Sequence, residues 1–302
     1  MTFPRLKIIL PLAGLALASV GVLAYGLGSP QATLLGPALV RAGDPAEVML
    51  TFDDGPSVPY TGEILDILRA EDVKATFFLC GASAERYPEL VRRIRDEGHE
   101  IGNHTWSHPW LHLASREAIA AEIDRTQDLL ERITGRRPTW FRPPYGVRGF
   151  PLRGVLEERG MRMMLWSSRG YDGRFDAAGI VSAVLSQLGP GAIILLHDGF
   201  EAKAPALVDR SATAAALPGI IAGARRAGYR FASGGATPTG TSRAGVRLAQ
   251  STGSRAAAAN HARKEGRSAS SSARRALSSR SASLLAADGA AGSSQNASSS
   301  RP

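Results

Sequence analysis

The 302-residue chain has one cysteine, Cys80. A lone thiol excludes an intramolecular disulfide framework and any cysteine-cluster zinc site. Aromatic residues are scarce, at 6 %. Acidic residues are absent from the first 43 positions, and only 2 lie beyond position 233. Those two ends carry 3 and 10 Lys or Arg, so the net charge of +9 is concentrated there. Residues 44–233 hold 23 basic against 25 acidic side chains. Without a basic face, this middle part lacks the electrostatic footprint of a nucleic-acid binder. Hydrophobic residues make up 44 %, a globular composition with room for one large domain or two small ones. No internal repeat and no oligomer signal is visible, and a monomer is expected.

What is present divides into segments. Arg5 and Lys7 precede a charge-free apolar run from Ile8 to about Gly28. As a helix it would extend roughly 30 Å, enough for one membrane crossing. Residues 1–28 therefore read as a signal peptide or a membrane anchor. The lack of a clear A-x-A cleavage site favours the anchor. The basic start places the rest of the chain outside the cytoplasm, membrane-anchored or secreted. Residues 29–43 read as a linker and 44–233 as the folded domain. Residues 234–302, rich in Ser, Ala and Arg, read as a disordered basic tail.

Between the ends, short apolar runs alternate with helical patterns. Val48–Phe52, Ala75–Leu79, Glu100–Gly102, Thr139–Phe141, Met163–Ser167, Ala192–Leu196 and Tyr229–Ala232 read as buried strands. Pro88 opens a helix that stops at Gly98. Ser115 caps one that ends at Gly135, and Ser211 caps one that ends at Gly228. Seven strands alternating with helices predict a parallel α/β sheet, open or closed.

The reactive side chains fall at one end of those strands. Asp53 and Asp54 follow the first strand, His104 the third, Arg142 the fourth, Asp172 the fifth and His197 the sixth. In a parallel barrel the carboxyl ends of the strands share one face, so this convergence favours a barrel over an open sheet.

Each cluster has its own chemistry. In Thr51-Phe52-Asp53-Asp54-Gly55-Pro56, adjacent carboxylates repel unless a cation or proton lies between them. In His104-Thr105-Trp106-Ser107-His108, two histidines four apart face one metal ion if the segment makes a helical turn. His112, beyond Pro109, reads as structural or solvent-exposed, and Trp106 and Trp110 as packing. Arg142, held by Pro143 and Pro144, offers a rigid fork to a carboxylate. His197, ending an apolar strand, is placed to trade protons near neutral pH. His99, between Gly98 and Glu100, reads as structural. One carboxylate with two histidines makes a three-ligand zinc-type site with an open position. A second carboxylate, an arginine and a separate histidine complete a metal-assisted hydrolase.

These runs, with Arg142-Pro143-Pro144-Tyr145-Gly146 and Leu195-Leu196-His197-Asp198, resemble the ordered motifs of the NodB-homology polysaccharide deacetylases, also called carbohydrate esterase family four. The similarity extends from Val48 to Ala232 and covers neither end. It implies a distorted (β/α) barrel of about seven parallel strands, binding a divalent metal, most often Zn2+. It implies Asp54, His104 and His108 as metal ligands and Asp53 as general base, oriented by Arg142. It further implies the Tyr145 N–H as an oxyanion donor, His197 as general acid, and Leu195 in the acetyl pocket. One departure stands out. The family's Asp-x-x-Asp-Trp run is here Arg169-Gly170-Tyr171-Asp172-Gly173. Asp172 remains to orient His197, and Tyr171 is the expected substitute for the missing tryptophan wall.

The implied activity is removal of N-acetyl groups from an extracytoplasmic glycan of peptidoglycan, chitooligosaccharide or poly-N-acetylglucosamine type. The alternatives are deformylation or deacylation of a lipid-linked sugar, and a noncatalytic glycan-binding surface protein. The expected partners are the glycan and, through an uncleaved leader, the membrane.

Overall fold

The computed structural model describes residues 35–200 and 209–234, with Gly21, Tyr25 and Ala32. Apart from Gly21 and Tyr25, the apolar leader lies outside the described residues, as does the basic tail from residue 235. No helix among the described residues is long and apolar enough to cross a membrane.

Parallel strands alternate with helices along the chain. The strands are β1 (Glu47–Asp53), β2 (Thr76–Leu79), β3 (Glu100–Asn103), β4 (Trp140–Phe141), β5 (Arg162–Met163), β6 (Ser168–Arg169), β7 (Ile193–His197) and β8 (Arg230–Phe231). The helices are α1 (Tyr60–Ala70), α2 (Gly81–Arg86), α3 (Pro88–Asp96), α4 (Arg116–Thr134), α5 (Leu152–Glu158), α6 (Ala177–Ser186) and α7 (Ser211–Arg226). Seven strands follow one path, β5-β4-β3-β2-β1-β7-β6, and β8 pairs with β1 off that path. The sheet is the curled parallel sheet of a distorted (β/α) barrel.

Local sequence accounts for most of the elements. The Ser115 hydroxyl accepts from the Ala118 N–H at 3.2 Å to start α4, and Gly135 ends it at φ 73. Pro88 opens α3, where its missing N–H costs nothing. Ser211 is the first residue of α7 rather than its cap; the cap position belongs to Arg210. Asp209 Oδ1 instead accepts from the Ser211 N–H at 2.7 Å. Of the strand expected over Met163–Ser167, only Met163 lies in a strand, at the end of β5, and β6 begins just after the run, at Ser168. Between them, the Met164 and Leu165 carbonyls accept from the Arg142 side chain instead of a neighbouring strand.

β1 alternates between two environments. Leu50 and Phe52 pack outward against the helices, in a cluster with Ile64, Leu68, Leu217 and Ile220. Burying such a side chain fully contributes about 1.5–3 kcal/mol, so this face holds β1 in register. Met49 lies on the inner side with Phe78, Trp140, Met164 and Ile193. Thr51 and Asp53 share the Met49 face by the period of two, which points them into the barrel.

Residues 39–42, within the stretch read as a linker, are tied to the barrel. The Leu39 N–H donates to Met163 O and its carbonyl accepts from the Leu165 N–H, both at 2.8 Å. The Ala42 N–H donates to Gly191 O at 2.7 Å. This segment therefore joins the β5 side of the sheet to the start of β7. At the other end, Gly234 donates to Thr76 Oγ1 at 3.0 Å, and its carbonyl accepts from Trp140 Nε1 at 2.9 Å.

Candidate active site

Strand register builds the site. Pairing of β1 with β7 sets Asp53 opposite His197. Pairing of β3 with β4 sets Asn103 opposite Phe141, so His104 and Arg142 emerge side by side. The Asp172 loop leaves the end of β6. All the reactive groups thus meet at the carboxyl face of the barrel, as the strand placement predicts.

The two histidines do not lie on a helical turn. Residues 104–108 form an irregular loop with Thr105 at φ 68 and His108 at φ 56. Two non-glycine residues in left-handed conformation cost about 1–3 kcal/mol each. Glu122 of α4 offsets this by accepting from the Trp106 and Ser107 N–H groups, at 2.9 and 2.8 Å, and from the Ser107 hydroxyl at 2.8 Å. Glu122 has no signature in the motif itself; only the fold brings it beneath the loop.

Three ligand atoms converge. Asp54 Oδ1 lies 3.3 Å from His104 Nε2 and 3.2 Å from His108 Nε2, and all three residues are buried. His104 Nδ1 lies 2.7 Å from Arg142 O. A carbonyl only accepts, so Nδ1 carries the hydrogen, and His104 in its neutral form, the form that binds a metal, directs the Nε2 lone pair at the Asp54 carboxylate. Two electron-rich atoms face one another, and no donor from elsewhere among the described residues reaches Asp54 Oδ1. A cation resolves this. Donors bound tetrahedrally at about 2.0–2.1 Å lie about 3.3–3.4 Å apart, which matches both separations. The residues fit a divalent metal of the zinc type. Without the ion, burial disfavours charge on His104, but Asp53 and Asp54 outweigh it and raise its pKa. Burial likewise works against ionised Asp54, and the surrounding histidines prevail, holding it well below the usual carboxylate range.

Asp53 stands beside the triad but is held separately. Its Oδ2 is 3.9 Å from His104 Nε2, while Oδ1 accepts from Arg142 Nη1 at 2.7 Å. Arg142 is completely buried. It also donates to Thr51 Oγ1 at 2.8 Å and to the Met164 and Leu165 carbonyls, both at 3.0 Å. Its plane is thereby fixed from three sides.

On the opposite side, His197 Nδ1 lies 2.8 Å from Asp172 Oδ1. Asp172 Oδ2 accepts from the His197 N–H at 2.7 Å and from the Thr213 hydroxyl at 3.0 Å. Burial opposes charge on the imidazole, but Asp172, with Asp54 and Asp53 behind it, outweighs burial and raises the His197 pKa. The Asp172 charge thus favours the imidazolium over the neutral ring.

The cleft over these groups is lined by Tyr145, Gly146, Trp166, Arg169, Leu195, Phe200 and Arg210 as well as the acidic and histidine residues. Leu195 is among the residues of this lining. Tyr171 is not part of this lining and stands 39 % exposed; Trp166 and Phe200 supply the aromatic walls instead. Tyr145 sits at φ 59, its ring edge-on to His108 with centroids 4.6 Å apart. Trp106 is packing, as expected, but Trp110 is not. It is 54 % exposed and stacks on Tyr145 at 3.8 Å and 13°. His112 is half-buried and meets the Trp110 ring edge-on, with centroids 5.5 Å apart. His99 is structural: Nδ1 accepts from the Ala75 N–H at 3.2 Å, and burial lowers its pKa to about 4.

Comparison with known proteins agrees with this geometry. Residues 41–164 match the family model described as polysaccharide deacetylase. A peptidoglycan-N-acetylglucosamine deacetylase of Bacillus cereus is 44 % identical over 154 residues, covering 50 % of this chain and 56 % of the relative. The chain thus spans little more than half the length of that relative. A chitooligosaccharide deacetylase of Azorhizobium caulinodans is 34 % identical over 203 residues, covering 65 % of this chain and 97 % of the relative. The solved structure of the Bc1960 peptidoglycan N-acetylglucosamine deacetylase superposes with a TM-score of 0.60 at 37 % identity, covering 65 % of this chain and 89 % of that one. Motifs scattered over 150 residues of sequence close on one cleft, and a relative is matched along nearly its whole length, so the chain belongs to the polysaccharide deacetylase family of NodB homology.

Proposed function

We propose that this protein is a metal-dependent hydrolase that removes N-acetyl groups from an extracytoplasmic glycan of peptidoglycan or chitooligosaccharide type. The observation that carries the reading is the placement of Asp53. It stands next to the metal-ligand triad, yet Arg142 holds it apart, leaving one carboxylate for the ion and one for proton transfer.

A divalent ion, most readily Zn2+, held by Asp54, His104 and His108, would polarise the acyl oxygen and make water acidic near neutral pH. The chain's own groups do the rest. Asp53 accepts the proton of the water that attacks the acetyl carbonyl. The Tyr145 N–H contributes to binding the developing oxyanion; a donor in that role supplies about 3 kcal/mol in comparable sites. His197, protonated and oriented by Asp172, gives its proton to the departing amine. Leu195, Trp166 and Phe200 exclude water from around the acetyl methyl. The products are acetate and a glucosaminyl unit that becomes an ammonium ion.

An extracytoplasmic location, with anchoring or export by the apolar run before Gly28, places the enzyme where such glycans are. The relatives named as acting on peptidoglycan and on chitooligosaccharides support the substrate class. The test is acetate release from acetylated chitooligosaccharide and peptidoglycan by the full chain, with and without chelator. Release that stops on chelation and returns with Zn2+ is expected; release insensitive to chelation overturns the reading.

A further inference from the structure

Charge is matched on only part of the cleft. Asp53 is paired with Arg142, and Asp172 with His197. Asp198 is buried against the Thr61 hydroxyl. Two more guanidiniums line the cleft: Arg169 at the end of β6 and Arg210 just before α7. Neither makes a close ion pair with a carboxylate among the described residues, although Arg210 lies near enough to Asp172 to lower its pKa and 5.7 Å from the Phe200 ring centroid. Arg169 is exposed and lies over the Tyr171 ring, 5.0 Å from its centroid. Arg210 is only 4 % exposed, yet its side chain makes a single hydrogen bond among the described residues, from Nε to Gly199 O at 2.8 Å. Burying a guanidinium is costly unless an anion or several acceptors meet its N–H groups. Tyr145, which also lines the cleft, stacks on Trp110 and meets His108 edge-on.

We propose that Arg169 and Arg210 form a subsite for a carboxylate carried by the acylated amino sugar, so that the preferred substrate is anionic. The inference rests on the deacetylase reading and narrows its substrate. The aromatic wall suits the apolar face of a sugar ring, and the cationic wall suits a carboxylate, which a guanidinium grips with two parallel hydrogen bonds. The same charges act on the product. Hydrolysis replaces a neutral amide with an ammonium group, which two guanidiniums repel, so the wall favours substrate over product.

The test is equilibrium binding by calorimetry to the metal-free full chain, which separates recognition from turnover. Three probes are used: an oligosaccharide alternating N-acetylglucosamine and N-acetylmuramic acid, the same compound with its carboxyls amidated, and neutral chitotetraose. The free carboxylate is expected to bind about tenfold tighter than the amidated form. Arg169→Gln, a surface change, should abolish that preference and leave chitotetraose affinity within about twofold. Equal affinity for free and amidated forms overturns the proposal, as does an Arg169→Gln variant that weakens all three probes alike. A carboxylate preference in a Zn2+-loaded protein that releases no acetate would sink the deacetylase reading and leave the subsite standing.

Discussion

The main-chain oxygen of Arg142 lies 2.7 Å from His104 Nδ1, while its guanidinium lies 2.7 Å from Asp53 Oδ1. One residue therefore sets the tautomer of His104 with its backbone and the orientation of the Asp53 carboxylate with its side chain. The two tasks separate on mutation, because side-chain changes leave the carbonyl in place.

Asp53→Asn keeps the shape of the site and removes the proton acceptor. Turnover is expected to fall by at least about a hundredfold, with metal content unchanged by elemental analysis. Turnover close to that of the parent protein would remove Asp53 as the base.

His104→Ala deletes a ligand. An ion that binds only the folded state raises the melting temperature, by about 2.7 kcal/mol of stability at a hundredfold excess over Kd. The parent protein should show this rise on adding Zn2+, and the variant should not. An equal rise in both would exclude His104 from the ligand set.

Asp172→Asn tests the acid. His197 has a raised pKa, and as the proposed general acid it acts in its protonated form, so activity should be lost as pH rises through that pKa. Removing the Asp172 charge lowers the pKa, and the alkaline limb of the pH–rate profile should move to lower pH. An unmoved limb would show that another group governs it.

Asp198 makes a prediction about folding. Burial, with the Asp54 and Asp53 charges, raises its pKa from 3.8 to about 7, against the Thr61 hydrogen bond. Between those values the unfolded chain has lost the proton and the folded chain keeps it, so stability falls as pH rises. In the metal-free protein this amounts to as much as about 4 kcal/mol. Denaturant titrations from pH 4 to 7 should show the decline in the parent protein and a shallower one in Asp198→Asn. Parallel declines would assign the pH dependence to other groups.

The site was legible in sequence because Asp53, His104, Arg142 and His197 fall at or just after the ends of buried strands, and strand ends are readable from apolar runs. Asp53, His104, Arg142 and His197 all fall where that placement puts them. The geometry of the two-histidine loop was not legible, since its left-handed turns depend on Glu122, distant in sequence. Trp110 reads like any other tryptophan beside a proline; only the fold stacks it on Tyr145 at the surface. The break between β5 and β6 was hidden for a related reason. The run Met163–Ser167 looks continuous, but Arg142 takes two of its carbonyls. Arg210 carries no pattern at all and becomes visible only once α7 brings it to the cleft.

The Leu39–Ala42 segment has a practical consequence. It fills hydrogen-bonding positions beside Met163 and Gly191, so a trimmed protein starting at residue 44 would bare unpaired backbone on both flanks. Bare strand edges recruit other chains, and such a truncation should aggregate, whereas one that retains Leu35 onward keeps the seam sealed.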